Sequence, residues 1–190
     1  MSLPDDFPAR PGARPTTTDV NPHTQLDQNA PIDLQDRLRD HALALPRVRG
    51  GRSNVSVPGA VAFFIDNPPR PATVPDLFGG EWGHIHPHHD GSLHLILPTP
   101  DAERLIELGW GEYHNVVTLG LAPPIVIMLY GPRNDDELKV AKNILEIAYL
   151  AAGGAAHAAD GRPIGSLAPL PLGDRGDTQQ SASTSASPGS

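Results

Sequence analysis

Hydrophobic and polar positions recur along the chain in a way that predicts a short series of elements. Leu34, Leu38 and Leu45 share one face of a helix predicted over residues 31–45, and Pro31 suits an early helical position. The stretch RVRGGRSN breaks that periodicity. Residues 54–57 and 60–65 then read as two strands around the turn pair Pro58-Gly59. The segment EWGHIHPHHDGSLHLILP alternates twice, over 81–86 and 92–97, on either side of Asp90-Gly91, and so predicts a β-hairpin. A second helix is predicted over 100–108, capped by Thr99 and stopped by Gly109, and GWGEYH is expected as a loop. The unbroken apolar run 125–130 reads as a central strand. Leu138, Ala141, Leu145 and Ala148 recur at helical spacing in a last helix that starts near Asn134 and ends at Gly153 and Gly154. Hairpins imply antiparallel pairing, so the expected class is α+β: a mostly antiparallel sheet with helices packed on one face.

The two ends lack this patterning. Residues 1–28 are rich in Pro, Thr, Asp and Asn, and the stretch 160–190 closes on GDTQQSASTSASPGS. Both are expected to be disordered tails around one folded domain over 30–155. Composition agrees: 38% of residues are hydrophobic, while Pro (22) and Gly (19) are plentiful. The absence of cysteine excludes disulfides, thiolate metal sites and cysteine nucleophiles. A formal net charge of -8 leaves no basic face, which argues against nucleic-acid or anionic-membrane partners. No apolar run is long enough to cross a bilayer and no signal peptide is visible, so a cytoplasmic location is expected.

Chemistry concentrates in the hairpin, where five of nine histidines lie between His84 and His94. Side chains alternate faces along a strand, so Leu93, Leu95 and Leu97 point to the core, joined by Ile85. His84, His86 and His94 must then share the opposite face with Ser92. A three-residue loop would pair His86 with His94, and a five-residue loop would pair His84 with His94. Either register sets two imidazoles directly across the strands, with Cβ atoms roughly 5 Å apart. Three readings stay open. The cluster is a metal site, with Glu81, Asp90 or Glu112 able to complete the shell. It is a metal-free pocket in which histidine acts as base or donor. Or it is a solvated polar face.

Two further segments carry candidates. Trp110, between Gly109 and Gly111, reads as a core anchor or a pocket wall, and His114 follows it from a polar loop. Tyr130 and Arg133 sit where the central strand meets a helix N-terminus. Arg133 suits a carboxylate or enolate oxygen, or equally an ion pair with Asp135, Asp136 or Glu137. No P-loop, dinucleotide fingerprint or Gly-x-Ser-x-Gly elbow is present.

EWGHIHPHHDGSLHLILP, LIELGWGEYH and MLYGPRNDDELKVAKNILEIA together resemble the core of the fungal luciferase family and its bacterial relatives, over roughly residues 55–150. His84, His86, His89, Asp90, His94, Trp110, His114 and Arg133 fall on the family motif, and His88 does not. The resemblance implies oxidation of a small enolic or phenolic compound by molecular oxygen. Characterised members oxidise 3-hydroxyhispidin through an endoperoxide that loses carbon dioxide. It does not carry substrate or light emission with it. The implied catalytic residues are His84, His86, His94, His114 and Arg133. The implied substrate-binding residues are His89, Asp90 and Trp110, with Tyr130 added by its place at the strand end. No cofactor is expected from the family, while a divalent metal on His84, His86 and His94 stays open. The expected partners are a small-molecule substrate and oxygen. The alternatives are a histidine-ligated metal enzyme and a non-catalytic ligand-binding or interaction module.

Overall fold

The computed structural model of the chain describes residues 2–69 and 74–166. Six strands form one sheet in the order β1-β2-β3-β4-β6-β5, and neighbouring strands pair antiparallel. They are β1 (Arg49–Arg52), β2 (Val61–Phe64), β3 (Glu81–Ile85), β4 (Leu93–Ile96), β5 (Gly111–Tyr113) and β6 (Val126–Leu129). Helices α1 (Ile32–Leu43) and α4 (Asp135–Ala151) pack against each other and the sheet; α2 (Thr99–Glu107) packs beside β5, and α3 (Asn115–Thr118) is a single turn. The α+β class and the antiparallel sheet are those the patterning predicts.

Helix α4 shows the local logic. Its buried stripe of Leu138, Ala141, Ile144, Leu145 and Ala148 faces the sheet. Asn134 precedes it in extended conformation, and its side chain accepts from the Asp136 and Glu137 amides at 3.1 and 2.9 Å. Asp135, Asp136 and Glu137 place negative charge at the positive end of the helix dipole. Replacing Asn134 by alanine is expected to cost about 1 kcal/mol, read as a lower urea midpoint with unchanged slope.

Four expectations are corrected. Residues 54–57 are not a strand; the edge strand is β1, inside the stretch RVRGGRSN that breaks the helical periodicity. It forms because its neighbour covers it: Arg49 lies over the Phe64 ring at 4.5 Å and pairs across from it. GWGEYH is not wholly a loop, since β5 pairs Gly111 with Leu129 and Tyr113 with Ile127. Thr99 does not cap α2; Pro98 holds that position with no side-chain hydrogen bond.

The fourth correction is the largest. The arm expected to be disordered, as far as it is described (residues 2–28), lies along the domain with buried anchors Leu3, Phe7, Arg10, His23 and Gln25. Leu3 and Phe7 belong to the main core, Leu3 N–H donates to Asp101 at 2.9 Å, and Trp110 Nε1–H donates to the Pro8 carbonyl at 2.6 Å. Residues 16–26 fold back on themselves through a Thr17–Gln25 bridge. A polar segment without apolar periodicity can order when its amides meet polar partners supplied by the rest of the fold. At the other end, Ile164 is buried and Gly165 N–H donates to Glu146 at 2.6 Å, so the expected tail is packed through these residues. The remainder of that tail, from residue 167, lies outside the described residues.

Candidate functional site

The hairpin adopts the five-residue-loop register: His84 faces His94 and Ile85 faces Leu93. Leu93, Leu95, Leu97 and Ile85 enter the main core, and the imidazoles of His84, His86 and His94 gather on the other side of the sheet. All three are buried. Asp90, in the turn, accepts a short hydrogen bond from His86 Nδ1. The same carboxylate accepts from the Ser92 and Gln25 amides at 3.1 and 3.2 Å. Burial by itself would raise the Asp90 pKa, yet the His86 and Ser92 contacts hold it below its ordinary value.

A register shift in β3 supplies the second carboxylate. Phe63 pairs with Gly83 and Phe64 with Glu81, which makes Trp82 the extra residue of a bulge. Trp82 turns into the core, with ring centroids 5.4 Å from Phe63 and 5.8 Å from Tyr149. Residues three apart in a regular strand point to opposite faces. The bulge instead brings Glu81 Oε1 to 2.8 Å from His84 Nδ1. Glu81 also accepts from Ser53 Oγ and the Asn54 amide, both at 2.7 Å, so it is fixed from two sides.

These contacts determine which nitrogens carry hydrogen. His84 Nδ1 donates to Glu81, so Nε2 of the neutral ring has the lone pair and accepts from His94 Nδ1 at 3.1 Å. His94 Nε2 is then a lone pair, and it is buried with no hydrogen-bond partner. Burial, followed by the neighbouring histidines, holds His94 well below the usual histidine pKa. Burial lowers His84 as well, against the opposing pull of Glu81.

The packed N-terminal segment adds a histidine that sequence reasoning missed. His23 is buried, stacks 5.6 Å from His94, and meets His114 edge-on at 5.1 Å. Its Nε2 lies 2.8 Å from Glu112 Oε1, and its Nδ1 has no partner. Glu112 is held in turn by Thr17 Oγ1 at 2.6 Å and the Tyr130 hydroxyl at 2.9 Å. Burial tends to raise the Glu112 pKa, but these three hydrogen bonds outweigh it and the pKa is lowered. His114 caps α3, its Nδ1 accepting from the Val116 amide at 3.1 Å, so its Nε2 carries hydrogen. Burial lowers its pKa to about 4. The signal for His23 was weak, a lone histidine in a proline-rich segment.

These rings line a cavity of about 550 Å³. Its remaining wall is largely apolar and includes Val55, Phe78, Ile96, Val116, Leu121 and Val126. Val55 and Leu121 are at the same time exposed, 54% and 75%, and so mark its mouth. A volume of that size suits one small organic molecule.

The other sequence-derived candidates fall elsewhere. Arg133 does not line this cavity; it is bound by Glu137, by Gln28 Oε1 at 2.9 Å and by the Pro11 carbonyl at 2.6 Å. Trp110 is a core residue under the N-terminal segment. The His89 side chain is exposed, and its carbonyl accepts from Asn29. Asp90 and Tyr130 act from behind, on His86 and Glu112. His84, His86, His94 and His114 are brought together.

Residues 79–148 match the family model of the luciferase domain. The chain is 30% identical over 159 residues to a luciferase of Armillaria mellea, covering 74% of this chain and 59% of that protein. Luciferases of Armillaria gallica and Neonothopanus nambi are each 29% identical with the same coverage. The chain carries a luciferase domain over residues 79–148. It spans about three fifths of the length of these relatives. The match of the family model begins just before β3 and ends within α4, so it takes in the hairpin and β5 but not His23. No solved structure matches the chain. No helix among the described residues is long and apolar enough to cross a membrane.

Proposed function

We propose that this luciferase-domain protein is an oxygenase-like enzyme that takes a proton from a small enolic or phenolic compound and lets the resulting enolate react with molecular oxygen. One observation carries the reading. Two buried imidazole nitrogens, His94 Nε2 and His23 Nδ1, have no partner and belong to residues lining an otherwise mostly apolar cavity. Each ring is held from its far side, by the Glu81–His84 chain and by Glu112. A neutral imidazole with an available lone pair is the ordinary base at neutral pH. An isolated buried histidine is a weak base, but a carboxylate one ring away stabilises the cation as it forms.

The atoms balance simply. Histidine removes the enol proton, the enolate carbon supplies the electrons for the bond to oxygen, and the histidinium returns the proton to the peroxide. The overall change is substrate plus oxygen to hydroperoxide, with no external reductant. The apolar walls keep bulk water from the peroxide. Light emission is not part of this proposal.

The test is oxygen uptake by the purified chain with a hydroxylated 2-pyrone, followed with an oxygen electrode. Uptake equal to substrate loss is expected, with kcat lowered about 10²–10⁴-fold in His94→Ala, the usual range for a lost general base. Tight binding of the pyrone with no oxygen uptake would instead make this a ligand-binding module.

A further inference from the structure

We infer that His84, His86 and His94 form a binding site for one divalent first-row transition-metal ion, with open coordination positions toward the cavity. The site is argued from the hairpin's geometry and does not rest on the oxygenase reading.

The three residues each offer one nitrogen, and those nitrogens lie within 4.8 Å of one another. The ring centroids are 5.5 Å (His84–His86), 5.0 Å (His84–His94) and 4.6 Å (His86–His94) apart. His84 Nε2 and His94 Nδ1 are separated by 3.1 Å. Two ligand nitrogens on a tetrahedral ion, with bonds of about 2.0–2.1 Å, stand roughly 3.3 Å apart. The His84–His94 pair already has that spacing, and the His86 ligand nitrogen, within 4.8 Å of both, closes in when an ion binds. His94 can offer Nδ1 because its other nitrogen has no partner that would forbid it from taking the hydrogen.

The surroundings are those of ligands. A metal-binding histidine nearly always donates its other ring N–H to a carboxylate or carbonyl, which fixes the ring and raises its donor strength. Glu81 does this for His84 and Asp90 for His86, and both carboxylates are buried and held by further hydrogen bonds. The arrangement turns His84 Nε2 to His94, and the His86 ring, held through its Nδ1, lies 4.6 Å from the His94 ring. Three neutral imidazoles suit zinc, iron, cobalt, nickel or copper, and do not suit calcium or magnesium, which take oxygen. Three protein ligands beside a cavity describe a site that keeps positions open to a small molecule.

A second triad of His23, His94 and His114 is also close enough on distance alone. It is less suited. His114 Nδ1 is engaged by the Val116 amide, which leaves hydrogen on Nε2, so ligation would break the cap of α3.

The experiment uses the full chain, purified without an affinity tag, stripped by a chelator and titrated with cobalt(II). Calorimetry and visible absorption are read together. One equivalent of cobalt is expected, with d–d bands of a nitrogen-ligated, non-octahedral ion and a raised melting temperature. His94→Ala and His86→Ala should abolish the saturable step. Glu81→Gln keeps all three rings and should weaken binding about 10–100-fold, the usual effect of losing a ligand's supporting partner. His114→Ala should bind cobalt within about twofold of wild type, since it is not a ligand. If His94→Ala fails to fold by circular dichroism, His86→Ala and Glu81→Gln decide. Absence of a one-equivalent step overturns the inference. So does a step that survives His86→Ala, or one lost in His114→Ala but not in His86→Ala. None of these readouts involves turnover, so failure of the metal site is distinguishable from failure of the oxygenase reading; an ion on His94 Nδ1 puts hydrogen on its Nε2 and leaves His23 Nδ1 as the free base.

Discussion

Replacing Phe7 by alanine is expected to destabilise the protein by about 3–5 kcal/mol, the usual cost of emptying a buried phenylalanine site. The residue lies in a segment whose composition predicts disorder, where the same change would cost nothing. Yet Phe7 is 3% exposed and sits in the core cluster that holds Leu105, Trp110 and Leu138. The anchors around it bind the segment by its backbone. The Pro8 carbonyl accepts from Trp110, the Arg10 amide donates to Leu108, and the Pro11 carbonyl accepts from Arg133. A loss of this size is a large share of the 5–15 kcal/mol that a domain commonly has. Urea unfolding followed by tryptophan fluorescence measures it directly, and a shift below about 0.5 kcal/mol, the range of an ordinary surface substitution, would show that the segment is not docked. The functional consequence follows from position. His23, Asn21 and Pro22 line the cavity from the same segment, so loosening it should raise the KM for the pyrone and remove one of the two free nitrogens.

Gly111→Val is expected to be the most damaging single substitution near the site, costing about 3 kcal/mol or more, beyond the usual range for overpacking. A Cβ at Gly111 would stand 2.3 Å from the Met128 carbonyl oxygen and 2.7 Å from Leu105 Cδ2. The first contact is backbone of the neighbouring strand, so β5 must move away from β6. Gly111 pairs with Leu129 and Glu112 with Met128, which means the displacement reaches Glu112 directly. Glu112 holds His23 and Tyr130, and His114 follows two residues on. The variant should therefore lose both stability and pyrone turnover. Thermal unfolding and oxygen uptake on the same sample test this; a melting temperature within 2–3 °C of wild type, a loss of no more than roughly 1 kcal/mol, would show that the sheet absorbs the methyls.

The two substitutions probe the same dependence. The hairpin supplies three histidines, but part of the cavity wall comes from segments outside the family match. His23 comes from well before the matched residues, and Val55 and Ser56 from the turn stapled to Glu81. Under the proposed function, the ribbon would carry the chemistry and the segments across it the fit to substrate.

What the chain alone determined is strand parity and the chemistry tied to it. Alternation of Leu93, Leu95 and Leu97 with His94 settles which face is core, because a side-chain period of two leaves no other arrangement once one face is buried. The clustering of His84, His86 and His94 follows from that period, as do the stripe of α4 and its Asn134 cap from helical geometry. What only the tertiary structure decided are contacts that carry no local period. The bulge at Trp82 moves Glu81 to the histidine face, against simple alternation, because Trp82 finds its place between Phe63 and Tyr149. β1 and β5 are strands because neighbouring strands complete their hydrogen bonds, not because their own residues favour it. The N-terminal segment orders because its amides and two apolar anchors meet partners about 100 residues away, such as Asp101 and Trp110. Such partners are invisible to any window along the sequence, and they bring in His23.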